Sequence, residues 1–154
     1  MRVLGVDCAG VILNPCIGSV PGAFDSLREI VRSGQFEKIY IVSQVNPLGR
    51  IAFSHRLWLR GLWKYTGIPR SNLYFCRYRS EKSIFCKKLG ITDFIDDTPE
   101  VLSYLGDVDR LYALNIKKIN QADKYQLPKN VAFFSSWKEL LPQLLATSSA
   151  APKE

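Results

Sequence analysis

The sequence predicts a three-layer, Rossmann-like α/β fold, in which helices cover both faces of a mostly parallel β-sheet. Short apolar segments rich in β-branched or aromatic residues alternate, along the whole chain, with segments whose apolar residues have helical spacing. Six segments are predicted as strands: residues 2–6, 38–42, 73–76, 93–96, 110–114 and 131–134. Alternation of this kind favours parallel strands joined by helices that lie on both faces of the sheet.

Helices are predicted between these strands. The apolar residues between positions 24 and 31 have helical spacing, and residues 48–66 form a longer helical segment. In that longer segment Arg56, Arg60 and Lys64 have i, i+4 spacing and predict a basic stripe along one helix face.

Several helix ends have recognisable signals. Thr98 and Pro99 have the residue types preferred at the N-cap and first position of a helix. Gly90 is expected to end a helix that begins near Ser80. Ser136 begins a capping-box pattern that precedes the last helix.

The 154 residues predict one domain over residues 1–146, followed by a disordered tail at 147–154. No apolar stretch is long enough to span a membrane, because Asp7 interrupts the first apolar segment. That segment has no cleavage pattern after it, so we interpret it as a buried strand and not as a signal peptide.

The net charge of +7 and the pI of about 9.3 favour anionic partners. The four cysteines have no metal-binding spacing and His55 is the only histidine, which argues against a structural zinc site. Reduced thiols and a cytoplasmic location are the expectation. No arginine follows Cys8 before Arg28, which excludes the signature of a cysteine-dependent phosphatase.

Polar side chains are concentrated where the predicted strands end. Asp7 follows the first strand, Ser43 follows the second, and the fourth ends in Asp96 and Asp97. Lys82 falls in the first turn of the helix before the fourth strand. Ligands of parallel α/β sheets bind beyond the carboxyl ends of the strands, so we expect these groups to converge.

This set of groups suits phosphoryl transfer. An aspartate can attack phosphorus and carry an aspartyl-phosphate. Carboxylates together with a backbone carbonyl provide the hard oxygen ligands that Mg²⁺ prefers. A hydroxyl and a lysine can hold the phosphoryl oxygens and neutralise their charge.

The ordered set resembles the four motifs of the haloacid dehalogenase (HAD) superfamily. "VLGVDCAGV" is similar to the first motif, hhhhDxDG, except at Ala9. "IYIVS" is similar to the second, Lys82 to the third, and "DFIDD" to the fourth, acidic motif. A response-regulator receiver domain uses similar groups, but its acidic pair follows strand one, whereas here the pair comes late.

The resemblance implies a role for each motif residue. Asp7 would be the nucleophile, and Ser43 and Lys82 would bind the phosphoryl group. Mg²⁺ would be bound by the side chains of Asp7, Asp96 and Asp97 and by the backbone carbonyl of Ala9.

Ala9 departs from the family's phosphatases, in which a second aspartate protonates the leaving group and activates water. Losing such a general acid–base typically costs about 10²–10⁴-fold in rate. The family's phosphonatases have a similar D-x-A-G-T motif but need a lysine from an inserted cap, and only residues 14–22 lie between the first strand and the next helix. We therefore expect no large cap.

The chain is either a phosphohydrolase or phosphotransferase with reduced or specialised activity, or an inactive module that binds a phosphorylated ligand or nucleic acid.

Arg77 and Arg79 follow the third strand and could bind a further anionic part of a substrate. The basic stripe on residues 48–66, with the neighbouring aromatic residues His55, Trp58, Trp63 and Tyr65, could engage nucleic acid, although such residues more often form core and solvated surface. The expected partner is a phosphorylated substrate or ligand; nucleic acid is less favoured, no membrane partner is expected, and the oligomeric state is left open.

Overall fold

A computed structural model describes residues 1–14, 18–115 and 124–146. Six strands in this part of the chain form one sheet in the order β3-β2-β1-β4-β5-β6, and every neighbouring pair is parallel. The strands are β1 (Val3–Val6), β2 (Lys38–Gln44), β3 (Leu73–Cys76), β4 (Asp93–Asp96), β5 (Arg110–Leu114) and β6 (Val131–Phe134). The predicted α/β class and sheet are therefore confirmed.

Helices cover both faces of the sheet, which gives the three predicted layers. The helices are α1 (Ala23–Ser33), α2 (Arg50–Leu59), α3 (Leu62–Thr66), α4 (Glu81–Leu89), α5 (Pro99–Ser103) and α6 (Trp137–Ala146). Buried residues of α1, α2, α3 and α6 share one hydrophobic cluster, and buried residues of α4 and α5 share another. The two clusters lie on opposite faces because successive strand residues alternate between them.

Gly5 is required in β1 because the ring of Phe94 occupies the space above it. A Cβ atom added at Gly5 would lie 2.4 Å from Cδ2 of Phe94, which is far closer than packed carbon atoms approach. The same ring lies 5.7 Å from the Nζ atom of Lys82. The absence of a side chain at Gly5 therefore lets one ring pack between β1 and the lysine predicted to bind phosphate.

The helix predicted over residues 48–66 is interrupted. A 3₁₀ turn (Pro47–Gly49) precedes α2, and α2 and α3 are separated by Arg60 and Gly61. Gly61 has a φ of 70°, in the left-handed region that ends an α-helix, and glycine adopts it without steric cost. The prediction of one continuous helix is wrong, and its basic stripe is divided between two helices.

Other element ends agree with the predictions or differ by one or two residues. β2 continues through Gln44, so Ser43 is its second-last residue and not its end. Gly90 ends α4 in the left-handed conformation, as predicted. Helix α5 begins at Pro99, but the Thr98 side chain makes no capping hydrogen bond to it.

Between β1 and α1 the described residues form a short hairpin-like loop, in which Leu13 forms a β-bridge with Ser19, and no inserted domain. No described helix is long and apolar enough to cross a membrane. The predicted tail at 147–154 lies outside the described residues.

Candidate active site

The site is built where β1 and β4 end side by side. These two strands pair in parallel, with Val6 opposite Ile95. The backbone N–H of Asp7 donates to the carbonyl of Ile95 at 2.9 Å, so the pairing continues to the residue that carries the carboxylate. Asp7 and Asp96 therefore emerge at the same edge of the sheet.

Lys82 joins the two carboxylates. Its Nζ atom donates to Oδ1 of Asp7 at 2.7 Å and to Oδ2 of Asp96 at 2.8 Å. All three side chains are buried, so these bonds are little weakened by solvent. Lys87 and Lys88, the other two lysines of α4, are exposed at its opposite end.

A third carboxylate, that of Asp97, completes an acidic cluster. One ligand atom from each of Asp7, Asp96 and Asp97 lies within 4.8 Å of the others. Thr98 holds the last two: its backbone N–H donates to Oδ1 of Asp96 at 2.9 Å and its hydroxyl donates to Oδ1 of Asp97 at 3.0 Å. Three oxygen donors thus converge on a volume that one cation could fill.

The cluster carries more negative than positive charge, and its pKa values reflect this. Burial raises the pKa of Asp7 from 3.8 to about 7; Lys82 opposes this rise, whereas the charges of Asp96 and Asp97 add to it. Burial also raises the pKa of Asp96. Burial lowers the pKa of Lys82, but the charges of Asp7 and Asp96 outweigh this effect and hold it above its usual value. The one ammonium thus bonds two of three clustered acids, an arrangement that favours a further cation.

Ser43 lies on β2, which is the other neighbour of β1. Val6 pairs with Ile41, so Ser43 lies two residues further toward the carboxyl edge, level with the start of the Asp7 loop. The Ser43 side chain is buried, and its Oγ atom has no hydrogen-bond partner among the described residues. Buried hydroxyls are normally hydrogen-bonded, so a buried hydroxyl without a partner is unusual.

The loop that follows Asp7 turns sharply. The carbonyl of Cys8 accepts hydrogen bonds from the N–H groups of Ile12 and Leu13 at 2.9 and 3.0 Å. Gly10 has a φ of 84°, and a Cβ atom there would lie 2.1 Å from Oδ2 of Asp97. Ala9 is exposed, and its methyl group can neither donate nor accept a proton.

The two arginines predicted to bind substrate lie outside this cluster. Both are exposed, and no hydrogen bond or ion pair within the described chain joins them to the three acids. The Arg79 guanidinium is paired with Glu100, a contact that raises the pKa of Arg79. Arg77 lies over the ring of Tyr78, 5.4 Å from its centroid.

The residues predicted to form a basic, aromatic face are not uniformly exposed. Arg56 is half-buried and its Nη2 atom donates to the carbonyl of Asn14 at 3.2 Å, so it supports the loop after Asp7. Trp63 is half-buried, and the hydroxyl of Tyr65 donates to Asp25. Trp58 is exposed and stacks on His55, with ring centroids 5.8 Å apart.

Thr98 and Gly10 contribute to the site although neither was predicted as a site residue. Thr98 was predicted only as a helix cap, and its position directly after two acids was the available signal. Gly10 follows Ala9 in the first motif, and the close approach of Asp97 gives the structural reason for a glycine there.

No protein-family model matches this sequence, and no curated protein matches it. Solved structures do match the fold. D,D-heptose 1,7-bisphosphate phosphatase from Burkholderia thailandensis is 14% identical with a TM-score of 0.69, and the match covers 95% of this chain and 99% of that chain.

Two further solved structures have the same fold. The cobalt-bound form of the deoxy-D-mannose-octulosonate 8-phosphate phosphatase from Haemophilus influenzae is 15% identical with a TM-score of 0.54, covering 94% of this chain and 87% of that one. The HAD domain of an effector protein from Legionella pneumophila is 11% identical with a TM-score of 0.51, covering 96% and 95%. The fold of this chain is thus the fold shared by these two phosphatases and this HAD domain.

Proposed function

We propose that the chain is an Mg²⁺-dependent phosphohydrolase or phosphotransferase that works through an aspartyl-phosphate on Asp7. The observation that carries this proposal is the convergence of the Asp7 carboxylate, the Lys82 ammonium and an unpartnered buried hydroxyl at Ser43, beside two further acids. A phosphoryl group needs a nucleophile, a cation and hydrogen-bond donors, and this edge of the sheet offers all three.

The donor set fits a divalent metal ion. Asp7, Asp96 and Asp97 offer three carboxylate oxygens, and the backbone carbonyl of Ala9 would be a fourth ligand. These are hard oxygen donors of the type Mg²⁺ prefers, and the single ammonium of Lys82 does not neutralise three acids. When bound, Mg²⁺ would offset the charge on the carboxylates and on the phosphoryl oxygens. The neighbour from Haemophilus influenzae is described as cobalt-bound, which supports a divalent metal.

Asp7 would supply the nucleophile. Its Oδ1 atom is held by Lys82, while Oδ2 makes no hydrogen bond with any described residue. Attack by a carboxylate oxygen forms the new bond to phosphorus, and the bond from phosphorus to the leaving oxygen breaks with its electron pair on that oxygen. Ser43 and Lys82 would hold the phosphoryl oxygens during this step. Water then attacks phosphorus, the bond to Asp7 breaks, and inorganic phosphate leaves.

Ala9 restricts which substrates can react. The leaving oxygen carries a negative charge, and Ala9 cannot give it a proton. The leaving group of an acyl phosphate is a carboxylate and that of an aryl phosphate is a phenolate, both stable anions, whereas that of an alkyl phosphate is a basic alkoxide. We infer specialised activity that favours leaving groups of the first kind, and slow attack of water on the aspartyl-phosphate.

The neighbours support a phosphorylated substrate. The first two act, by their names, on a heptose bisphosphate and on a sugar acid 8-phosphate. Arg77, which is exposed beside the carboxyl end of β3, is the arginine we propose for a further anionic group, while the Glu100 contact makes Arg79 the weaker candidate.

The free, buried thiols of Cys8, Cys76 and Cys86 support a cytoplasmic location.

A catalytically inactive binding module is the second candidate, and the methyl group of Ala9 is the observation that favours it. Such a module would keep the metal and phosphoryl positions to bind a phosphorylated ligand or nucleic acid. It would bind without turnover, so activity measurements separate the two candidates.

Phosphate release from acetyl phosphate and p-nitrophenyl phosphate tests the proposal. We expect wild-type release that requires Mg²⁺ and that Asp7→Asn reduces by about 10³-fold or more, because the nucleophile is lost. No release from either compound, or equal release by wild type and Asp7→Asn, would contradict the proposed enzyme and favour the binding module.

Restoring an acid at position 9 should broaden the activity. We expect Ala9→Asp to raise the hydrolysis of β-glycerophosphate by about 10²–10⁴-fold, because its leaving alkoxide needs a proton, and to change acetyl phosphate hydrolysis far less. Ala9→Asn is the matched control, since it has the same size but carries no transferable proton at neutral pH. Equal rates for Asp and Asn at position 9 would refute the role given to this position.

The melting temperature of the metal-free protein tests whether the site holds an excess of negative charge. In EDTA we expect Asp7→Asn to melt about 2–4 °C above wild type, the shift that roughly 1 kcal/mol produces in a chain of this length, because one of three clustered charges is removed. We also expect added Mg²⁺ to raise the melting temperature of wild type more than that of the variant. The measurement is thermal unfolding with and without Mg²⁺.

Asp93→Asn is the matched control for this experiment. Asp93 is also buried, but it accepts hydrogen bonds from Arg2 at 2.6 Å and from the Tyr112 hydroxyl at 3.0 Å, away from the site. We expect this variant to lose about 3–5 kcal/mol of stability, since it breaks a buried ion pair, yet to keep the wild-type response to Mg²⁺. The account of the metal site fails if Mg²⁺ stabilises Asp7→Asn as much as it stabilises wild type.

A further inference from the structure

Helix α2 and the 3₁₀ turn before it expose four large apolar side chains, which we call the α2 apolar patch. The members are Leu48, Ile51, Trp58 and Leu59, with exposed fractions of 94%, 85%, 55% and 63%. Exposed apolar residues are common singly, but four that are adjacent on one short segment mark an interaction surface. Leu48 and Ile51 are almost fully exposed, and Trp58 stacks on His55 while more than half of its surface stays accessible.

The patch follows one side of the helix. At about 100° per residue, Ile51, Trp58 and Leu59 lie within roughly a third of the circumference, and Leu48 lies one turn before Ile51. The opposite side carries Leu57, which is buried in the core. The helix is therefore apolar on two sides, and the fold needs only one of them.

The surroundings of the patch are basic. Residues 38–80 contain eight lysines and arginines and no aspartate or glutamate. Arg70 lines a surface hollow together with Ile51 and Trp58, and Arg60 lines another with Leu59. Arg60 and Arg70 are exposed, so the patch has a cation on each side.

We propose that the α2 apolar patch docks on an anionic membrane surface, with the apolar side chains inserted at the headgroup level and Arg60 and Arg70 bound to lipid phosphates and carboxylates. Leucine, isoleucine and tryptophan flanked by arginine are the composition of helices that lie in the membrane interface. Nucleic acid suits the patch less, because three of its four side chains are aliphatic and offer no ring for stacking. A second copy would bring one basic border against another.

The docking surface begins beside the candidate active site. Only Val45 and Asn46 separate β2 from the turn Pro47–Gly49, so Leu48 lies near the sheet edge that carries Ser43. Docking would hold that edge near the lipid headgroups.

The inference goes beyond the proposed phosphatase and does not depend on it. The expectation of no membrane partner came from the lack of a spanning segment. Surface binding needs no such segment, so this proposal revises that expectation.

Co-sedimentation with lipid vesicles tests this proposal. We expect wild type to pellet with vesicles of equal parts phosphatidylcholine and phosphatidylserine, and not with phosphatidylcholine alone. The double variant Ile51→Ser/Trp58→Ser should bind at least about tenfold more weakly, because it removes inserted apolar surface. Arg60→Ser/Arg70→Ser should also lose about tenfold, because two contacts with anionic lipid are removed.

The matched control is Ile84→Ser on α4, which removes an isoleucine of 65% exposure from the opposite layer of the fold. It should bind vesicles like wild type, and all variants should keep wild-type circular dichroism and vesicle-free phosphate release.

Absence of wild-type binding to anionic vesicles overturns the proposal, as does equal binding to phosphatidylcholine alone or equal loss in Ile84→Ser. Two findings without vesicle binding would reassign the patch: self-association, or binding of a single-stranded oligonucleotide, that Ile51→Ser/Trp58→Ser abolishes.

Discussion

The buried ammonium of Lys82 binds carboxylates from two different strands, and the architecture around the candidate site depends on this contact. The lysine comes from α4, which lies on one face of the sheet, while Asp7 and Asp96 come from the ends of β1 and β4. Removing Lys82 would leave the buried carboxylates without a compensating charge, which is far more costly than losing an exposed ion pair. The contact thus fixes α4 against the sheet edge and sets the position of the proposed nucleophile.

The charges of the acidic cluster are better explained by a functional role than by a contribution to stability. Lys82 balances one negative charge, and the remaining carboxylates repel each other in a buried environment. The buried Ser43 hydroxyl is likewise without a partner among the described residues. Deficits of this kind are usually retained where a ligand resolves them. A metal ion would balance the acids and a phosphoryl group would bond to the hydroxyl, which is why we interpret both deficits together.

Much of the fold and of the site could be predicted because a parallel sheet has strong rules. Short apolar runs marked all six strands, and parallel pairing brings their carboxyl ends to one edge, so Asp7, Ser43 and Asp96 were expected at that edge, while the strand order that makes β1 the neighbour of β2 and β4 came from the structure. Contacts between distant residues could not be predicted from spacing. The pairing of Arg79 with Glu100 and of Arg56 with the Asn14 carbonyl depends on how loops meet in three dimensions.

Two further features of helix α2 and its end could not be predicted from the sequence. A glycine inside a helical pattern does not reveal whether it adopts the left-handed conformation, so the break at Gly61 was missed. Helix α2 has apolar residues on two sides, and periodicity alone does not tell which side packs in the core. The α2 apolar patch became visible only with the burial of each side chain.

The central claim is that Asp7 carries a phosphoryl group, and the missing acid at position 9 makes this claim directly measurable. Water needs a general base to attack the aspartyl-phosphate rapidly, and Ala9 provides none, so the phosphorylated protein should accumulate. After incubation with acetyl phosphate and Mg²⁺, intact-mass spectrometry and borohydride trapping should find one phosphoryl adduct, located on Asp7. Phosphate release without any adduct, or an adduct on another residue, would contradict the account.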